Sequence, residues 1–212
     1  MAQPPSGNSI GPAALPPSCE QALLERFLKA EAMALWAVRS AKRRDIPRHV
    51  QTFLDRHEAD EEEHLRRFEL MLEKAPRERT ELPQVPANWE ALAVQLFGYE
   101  ALGLEFAKLL ASIRPDLGEI LEDEVVHVEF FERELRKILD TGGGRARQAH
   151  VTAAAWWKKL PRTVDRYLGD ESLAPYRVEL ARRILSAVEH RFTSLGLLGM
   201  EPEGRNVQPT GS

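Results

Sequence analysis

Four stretches of this chain carry the repeat of a helix that packs against other helices, and all four interrupt it in the same way. Apolar residues recur at alternating steps of three and four, which lines up one face of a helix. The first seam is Leu24, Leu28, Glu31, Leu35 and Val38, and the second is Val50, Leu54, His57, Glu61, His64, Phe68 and Met71. The third is Trp89, Ala93, Leu96, Glu100, Gly103, Ala107 and Leu110, and the fourth is Leu117, Leu121, Glu124, His127, Phe131 and Ile138. Each seam is apolar except near its middle, where glutamate or histidine intrudes. An unpaired carboxylate in such a core costs several kcal/mol or is neutralised by a large pKa shift. Four of them at one level call for a cation.

Hairpin geometry says that they are at one level. Residues equally far from a helix–helix turn lie side by side in an antiparallel pair. Glu31 and Glu61 are centred on Ile46, inside the stop Asp45-Ile46-Pro47. Glu100 and Glu124 are centred on Ser112, just before the break at Pro115.

The histidines add to the pattern. Glu61 with His64, and Glu124 with His127, are three residues apart, so both side chains of each pair leave one helix face. In a chain with 25 glutamates a single Glu-x-x-His says little, but here both copies extend to Asp-Glu-x-x-His, at Asp60 to His64 and Asp123 to His127. Two solvated acidic helices would not place these groups on the apolar seams.

Composition narrows the class. The chain has 212 residues, 43% hydrophobic and 29% charged, as for one ordinary globular core, and alternation of strand type never persists. An all-α fold is expected. The net charge of −4 gives no general attraction to nucleic acid or anionic membrane, and Arg39, Lys42, Arg43 and Arg44 read as a solvated helix end. Cys19 is the only cysteine, which excludes an intrachain disulfide framework and a thiolate zinc site. No run is long and apolar enough to span a bilayer, and residues 1–18 lack the basic and apolar regions of a signal peptide. The expected location is the cytoplasm.

Helices are expected at about 18–44, 47–75, 89–113 and 116–140, then about 150–168, kinked at Pro161, and 174–198. The run Thr141-Gly142-Gly143-Gly144 reads as a flexible break. The expected domains are a flexible arm (1–17), a four-helix unit (18–140), a helical extension packed on it (141–199) and a disordered tail (200–212).

The order Glu31, Asp60-Glu61-x-x-His64, Glu100, Asp123-Glu124-x-x-His127 resembles the ferritin-like di-iron carboxylate superfamily, over about Glu20 to Asp140. The resemblance implies an up-down-down-up four-helix bundle with two added C-terminal helices and a long connection between the second and third. The 13 residues Pro76 to Asn88 reach about 43 Å, enough to run along a helix of about 42 Å. It also implies two Fe ions, or an Mn/Fe or Mn/Mn pair, which suits carboxylate and imidazole ligands. Glu61 and Glu124 would bridge the ions, with Glu31 and His64 on one and Glu100 and His127 on the other. Asp60 and Asp123 resemble the aspartates that hold the outer nitrogen of ligand histidines. Each lies about 100° around its helix from the following glutamate, so each should reach across to the opposite hairpin, Asp60 to His127 and Asp123 to His64. His57, one turn before Glu61, reads as a satisfied core histidine or, more sharply, a proton relay.

Such sites activate O2 for oxidation or hydroxylation of a substrate, or handle iron or peroxide as ferroxidases and peroxidases do. The first reading needs a small-molecule substrate and an external electron donor. Ala34, Gly103 and Ala107 could leave room for that substrate, and Trp156 and Trp157 could wall the pocket or form a homodimer interface. The tRNA-modifying hydroxylases are similar in layout, with Glu100 and Glu105 in place of their Glu-x4-Glu. Fatty-aldehyde oxygenases are similar at the same coarse level. Glu105 and Glu129 lie off the seams and read as surface residues. Tyr99 beside Glu100 reads as structural, with a redox role as the sharper alternative.

Overall fold

A computed structural model describes residues 15–75 and 84–199. Most of the segment 1–17, the first part of the connector (76–83) and the tail from 200 lie outside the described residues. Among those described there are six α-helices and no strand. They are α1 (Glu20–Ala41), α2 (Arg48–Leu72), α3 (Trp89–Ile113), α4 (Gly118–Thr141), α5 (Gly143–Tyr167) and α6 (Arg177–Ser194). Short 3-10 turns at Pro17–Cys19, Pro115–Leu117 and Glu171–Leu173 join or precede them. No helix among the described residues is long and apolar enough to cross a membrane.

The first four helices pack in a ring: α1 on α2, α2 on α4, α4 on α3 and α3 on α1. The expected seams face inward. Leu24, Leu28, Leu35, Val38, Val50, Leu54, Phe68, Leu96, Ala107, Leu110, Phe131 and Ile138 are all buried. On α2 and α4 the opposite face is charged, which keeps those helices at the periphery. Helix α3 differs, because 15 of its residues are buried. It is apolar almost all round, and it touches α1, α4, α5 and α6. A helix with that composition has to be central.

The breaks have local causes. Helix α1 ends at Ala41, and Pro47 caps the start of α2 with φ −56°. Asn88 starts α3, its side-chain oxygen accepting from the Ala91 amide at 2.9 Å. Glycine decides the turn between α4 and α5. Gly142 has φ +67° and ψ −162°, and Gly143 has φ +61°, conformations that other residues rarely adopt. The chain therefore reverses with only Gly142 between helices, and α5 starts at Gly143, not near residue 150 as the glycine run suggested. It continues through Pro161. Helix α5 then packs on α3 and α4, and α6 packs on α3 and α5.

The docking of α5 depends on Gly98. A Cβ there would lie 2.3 Å from Cε2 of Trp156. The Trp156 ring stacks on Phe192 of α6, centroids 5.1 Å apart. That is where Trp156 sits, away from the polar cluster.

Candidate metal centre

Helix α1 contributes Glu31 to the middle of the ring, α2 His57, Glu61 and His64, α3 Glu100, and α4 Glu124 and His127. None is more than 4% exposed. Their donor atoms form two groups, each spanning no more than 4.8 Å and each able to hold a metal ion. One is Glu31, Glu61, His64 and Glu124, and the other is His57, Glu61, Glu100 and His127. Glu61 belongs to both. All six residues expected as ligands are thus brought together, and His57 joins them directly at the position of a donor.

The hydrogen bonds leave this cluster conspicuously incomplete. His64 turns Nε2 to Asp123 at 3.1 Å, and His127 turns Nε2 to Asp60 at 3.2 Å. These are the two contacts across hairpins that the helical offset of the aspartates anticipates. Each histidine is left with Nδ1 pointing into the cluster and no hydrogen-bond partner. His57 Nδ1, Glu61 Oε2 and Glu124 Oε2 are unpartnered as well. Buried polar atoms are nearly always satisfied, yet five of the six unsatisfied ones among the described residues lie here. His64 Nδ1 is 3.7 Å from Glu31, and His127 Nδ1 is 3.7 Å from Glu61 and from Glu100. Those gaps are too long for hydrogen bonds. They are within reach of two ligands that each lie about 2.1 Å from one shared ion. A pair of cations fits the donor set.

Without cations the charges are balanced by protons. Burial pushes Glu31 and Glu61 up to about 8, helped by the neighbouring carboxylates. Burial, with the charges of Glu100 and Glu61, raises Glu124 well above the ordinary range. Glu100 is the exception: burial works upward, but His57 and His127 outweigh it and hold it at about 2. The histidines mirror this. Burial alone would lower His127, but the hydrogen bond to Asp60 and the nearby carboxylates of Glu100 and Glu61 carry it up to about 11. His57 is likewise raised against its burial, by Glu100. Burial and like charges thus favour the proton on Glu31, Glu61 and Glu124, the carboxylates favour it on His57 and His127, and the histidines favour the ionised form of Glu100.

The cluster has a closed side and an open side. On the closed side Phe53 stacks on Phe130, and Phe131 lies 6.0 Å from the His57 ring and 5.8 Å from Phe53. On the open side a cavity of about 550 Å³ is lined by Glu31, Glu100 and Glu124 but by none of the three histidines. Ala34 and Gly103 line it as the sequence suggested, and Ala107 does not. A Cβ on Gly103 would meet Glu124 Oε2 at 3.0 Å, so glycine keeps that carboxylate clear. The far wall is the end of α5, through Thr163, Arg166 and Tyr167, and not Trp156 or Trp157.

The remaining candidates stand apart. Glu105 pairs with Lys108 at 2.6 Å, and Glu129 is exposed. Tyr99 lines the cavity, and its hydroxyl accepts from the Gln95 amide at 2.9 Å. Arg39 and Lys42 bond Glu58 of α2, at 2.7 and 2.6 Å, so this basic cluster ties α1 to α2.

No protein-family model, curated protein or solved structure matches the chain.

Proposed function

We propose that the chain is a ferritin-like di-iron carboxylate protein that activates O2 to oxidise or hydroxylate a small molecule. The observation that carries this reading is the shared carboxylate. Glu61 belongs to both four-residue groups, and the unpartnered nitrogens of His64 and His127 face one group each. Glu31, Glu61, His64, Glu100, Glu124 and His127 would hold two ions, with His57 close enough to add a donor. Iron fits the carboxylate and imidazole set, and manganese could replace one ion or both. Bound iron would supply redox chemistry towards O2 at neutral pH, with electrons from an external donor.

The chain's own residues have definite parts in this reading. Asp123 and Asp60 fix the tautomers of His64 and His127 by accepting from Nε2–H, which leaves Nδ1 basic and directed inward. Phe53, Phe130 and Phe131 keep water from the histidine side. Glu31, Glu100 and Glu124 face the cavity, so a substrate would approach from the carboxylate side. The cavity also favours substrate oxidation over the alternative, iron or peroxide handling, which requires the cluster but no chamber of about 550 Å³ beside it.

The test is to load the chain anaerobically with Fe(II), remove loosely bound metal and measure iron per chain and O2 uptake. We expect two irons per chain and O2 uptake that a reductant sustains. A chain that retains no iron contradicts the proposal. Uptake that resumes only on adding excess Fe(II) and deposits a ferric mineral supports the alternative.

A further inference from the structure

The cavity beside Glu31, Glu100 and Glu124 changes character from its floor to its mouth. Phe27, Leu102 and Phe106 make an apolar body, and small residues keep its inner end open. Around the outer end stand Arg26, Lys29 and Arg166. Lys29 and Arg166 are exposed, so the cavity reaches solvent there.

Those three cations differ from the ones that tie the helices together. Elsewhere Arg39, Lys42, Arg114 and Arg191 each contact a carboxylate on another element or turn. Arg26, Lys29 and Arg166 have no carboxylate within ion-pair distance among the described residues, although the chain as a whole is acidic. Arg26 lies over the Tyr167 ring at 5.9 Å, which holds its guanidinium at the cavity wall. Asp170 feels the charges of Arg26 and Lys29, but its oxygen is occupied by the amide and hydroxyl of Ser172, at 3.0 and 2.8 Å. Three like charges around one mouth repel each other, and Asp170 and Glu25 offset them only through space, with no carboxylate in direct contact among the described residues. An anionic ligand would supply that contact.

We propose that this cavity binds a small amphipathic anion, an apolar body with a single carboxylate or phosphate head. The head lies against Arg26, Lys29 and Arg166, and the body extends past Phe27 and Phe106 towards the glutamates. This orientation holds the charged end away from the metal centre and presents a carbon–hydrogen portion to it. The inference rests on the di-metal reading for what becomes of the ligand, but not for its binding.

The experiment compares decanoate, decyl phosphate and decanol, each below its micelle concentration. Binding is followed by calorimetry with the full chain, metal-free and loaded anaerobically with Fe(II). We expect at least one of the two anions to bind about 10-fold or more tightly than the alcohol, since hydrogen bonds to charged groups are worth about 1.5–3 kcal/mol. The preferred anion identifies the head group. Arg166→Gln and Arg26→Gln should each reduce that preference several-fold and leave decanol unchanged, while Arg182→Gln, on the surface of α6, should change nothing. Ala34→Leu should weaken all three ligands, and thermal melts of every variant would check folding. Equal binding of anions and alcohol overturns the inference. So does an anion preference that needs the metal and survives both arginine substitutions, because the head would then lie at the ions. A chain that binds the anion selectively but retains no metal sinks the di-metal reading and leaves this inference standing. Two metals with no anion preference does the reverse.

Discussion

His64 reaches across from α2 to Asp123 on α4, Nε2 to carboxylate 3.1 Å, and this bond leaves its other ring nitrogen buried, inward-facing and unpartnered. His127 and Asp60 repeat the arrangement in the opposite direction at 3.2 Å. A buried imidazole that donates at its outer nitrogen presents the inner one to the cluster, where a cation can take the place of a proton. Asp123→Asn should therefore keep the fold but weaken metal binding about 10–100-fold, read by competition with a chelator. Asp116→Asn, which removes an exposed partner of Arg114, should leave metal affinity alone. Wild-type affinity in Asp123→Asn would mean that the aspartate is only a surface group.

His57 distinguishes two arrangements of the site. Its Nε2 is 2.9 Å from Glu61 and 3.6 Å from Glu100, inside the second group of donors. His57→Leu keeps much of the volume but removes the nitrogen. We expect a metal titration of this variant to lose one of two binding steps, or to weaken it about 10-fold or more, by analogy with the loss of a supporting partner. Two unchanged steps would make His57 a proton-carrying neighbour and not a donor.

Much of this is legible in the sequence. The residues of α3 were bounded correctly by its apolar run and flanking breaks, and Glu31, Glu61, His64, Glu100, Glu124 and His127 were visible as intrusions on four seams. Periodicity gives a helix face, and hairpin arithmetic gives the level. Neither says how deep a side chain sits against a third helix, which is why His57 could be placed on the seam but not against Glu100. The glycine run at 142–144 suggested flexibility because glycine permits many conformations, yet here its positive φ angles make a tight reversal. Trp156 and Trp157 read equally as a pocket wall or a dimer interface, because the sequence does not say which face of the helix docks. The face that α5 turns to the cavity follows from its docking over Gly98, a tertiary choice that no local pattern encodes.

Gly98 gives a test of that docking. Gly98→Ala places a methyl group 2.3 Å from the Trp156 ring. Overpacking of this kind costs about 1–3 kcal/mol, or a drop in Tm of about 2–12 °C for a chain of this size. Calorimetric melting would read it, and metal stoichiometry should not change. An unaltered Tm would mean that α5 is not seated where the structure has it.

The protonation pattern sets the pH dependence of the metal-free chain. Glu31 and Glu61 stand at about 8 in the fold against an ordinary 4.5, so between those values the folded chain holds more protons than the unfolded one. Their contribution to stability is complete below pH 4.5 and is lost as the pH rises through about 8. His127, at about 11 against 6.5, acts in the same direction from neutral pH upward. Glu100, held at about 2, has the opposite sign, but its contribution is already complete above 4.5 and does not bend the curve in this window. Denaturant midpoints of the metal-free chain should fall steadily from about pH 5 to about pH 8. Saturating metal, which displaces these protons, should flatten that fall. A metal-free chain that gains stability over this range would contradict the proton assignment.

The central claim is that one buried cluster holds two metal ions through a shared glutamate. X-ray absorption on the anaerobic Fe(II)-loaded chain, with iron per chain measured on the same sample, tests it directly. We expect two irons per chain with an iron–iron vector of about 3.5–4 Å and a shell of oxygen and nitrogen ligands. Glu61→Ala should remove the vector even where one iron remains. Two irons with no such vector, or full stoichiometry and an intact vector in Glu61→Ala, would contradict the account.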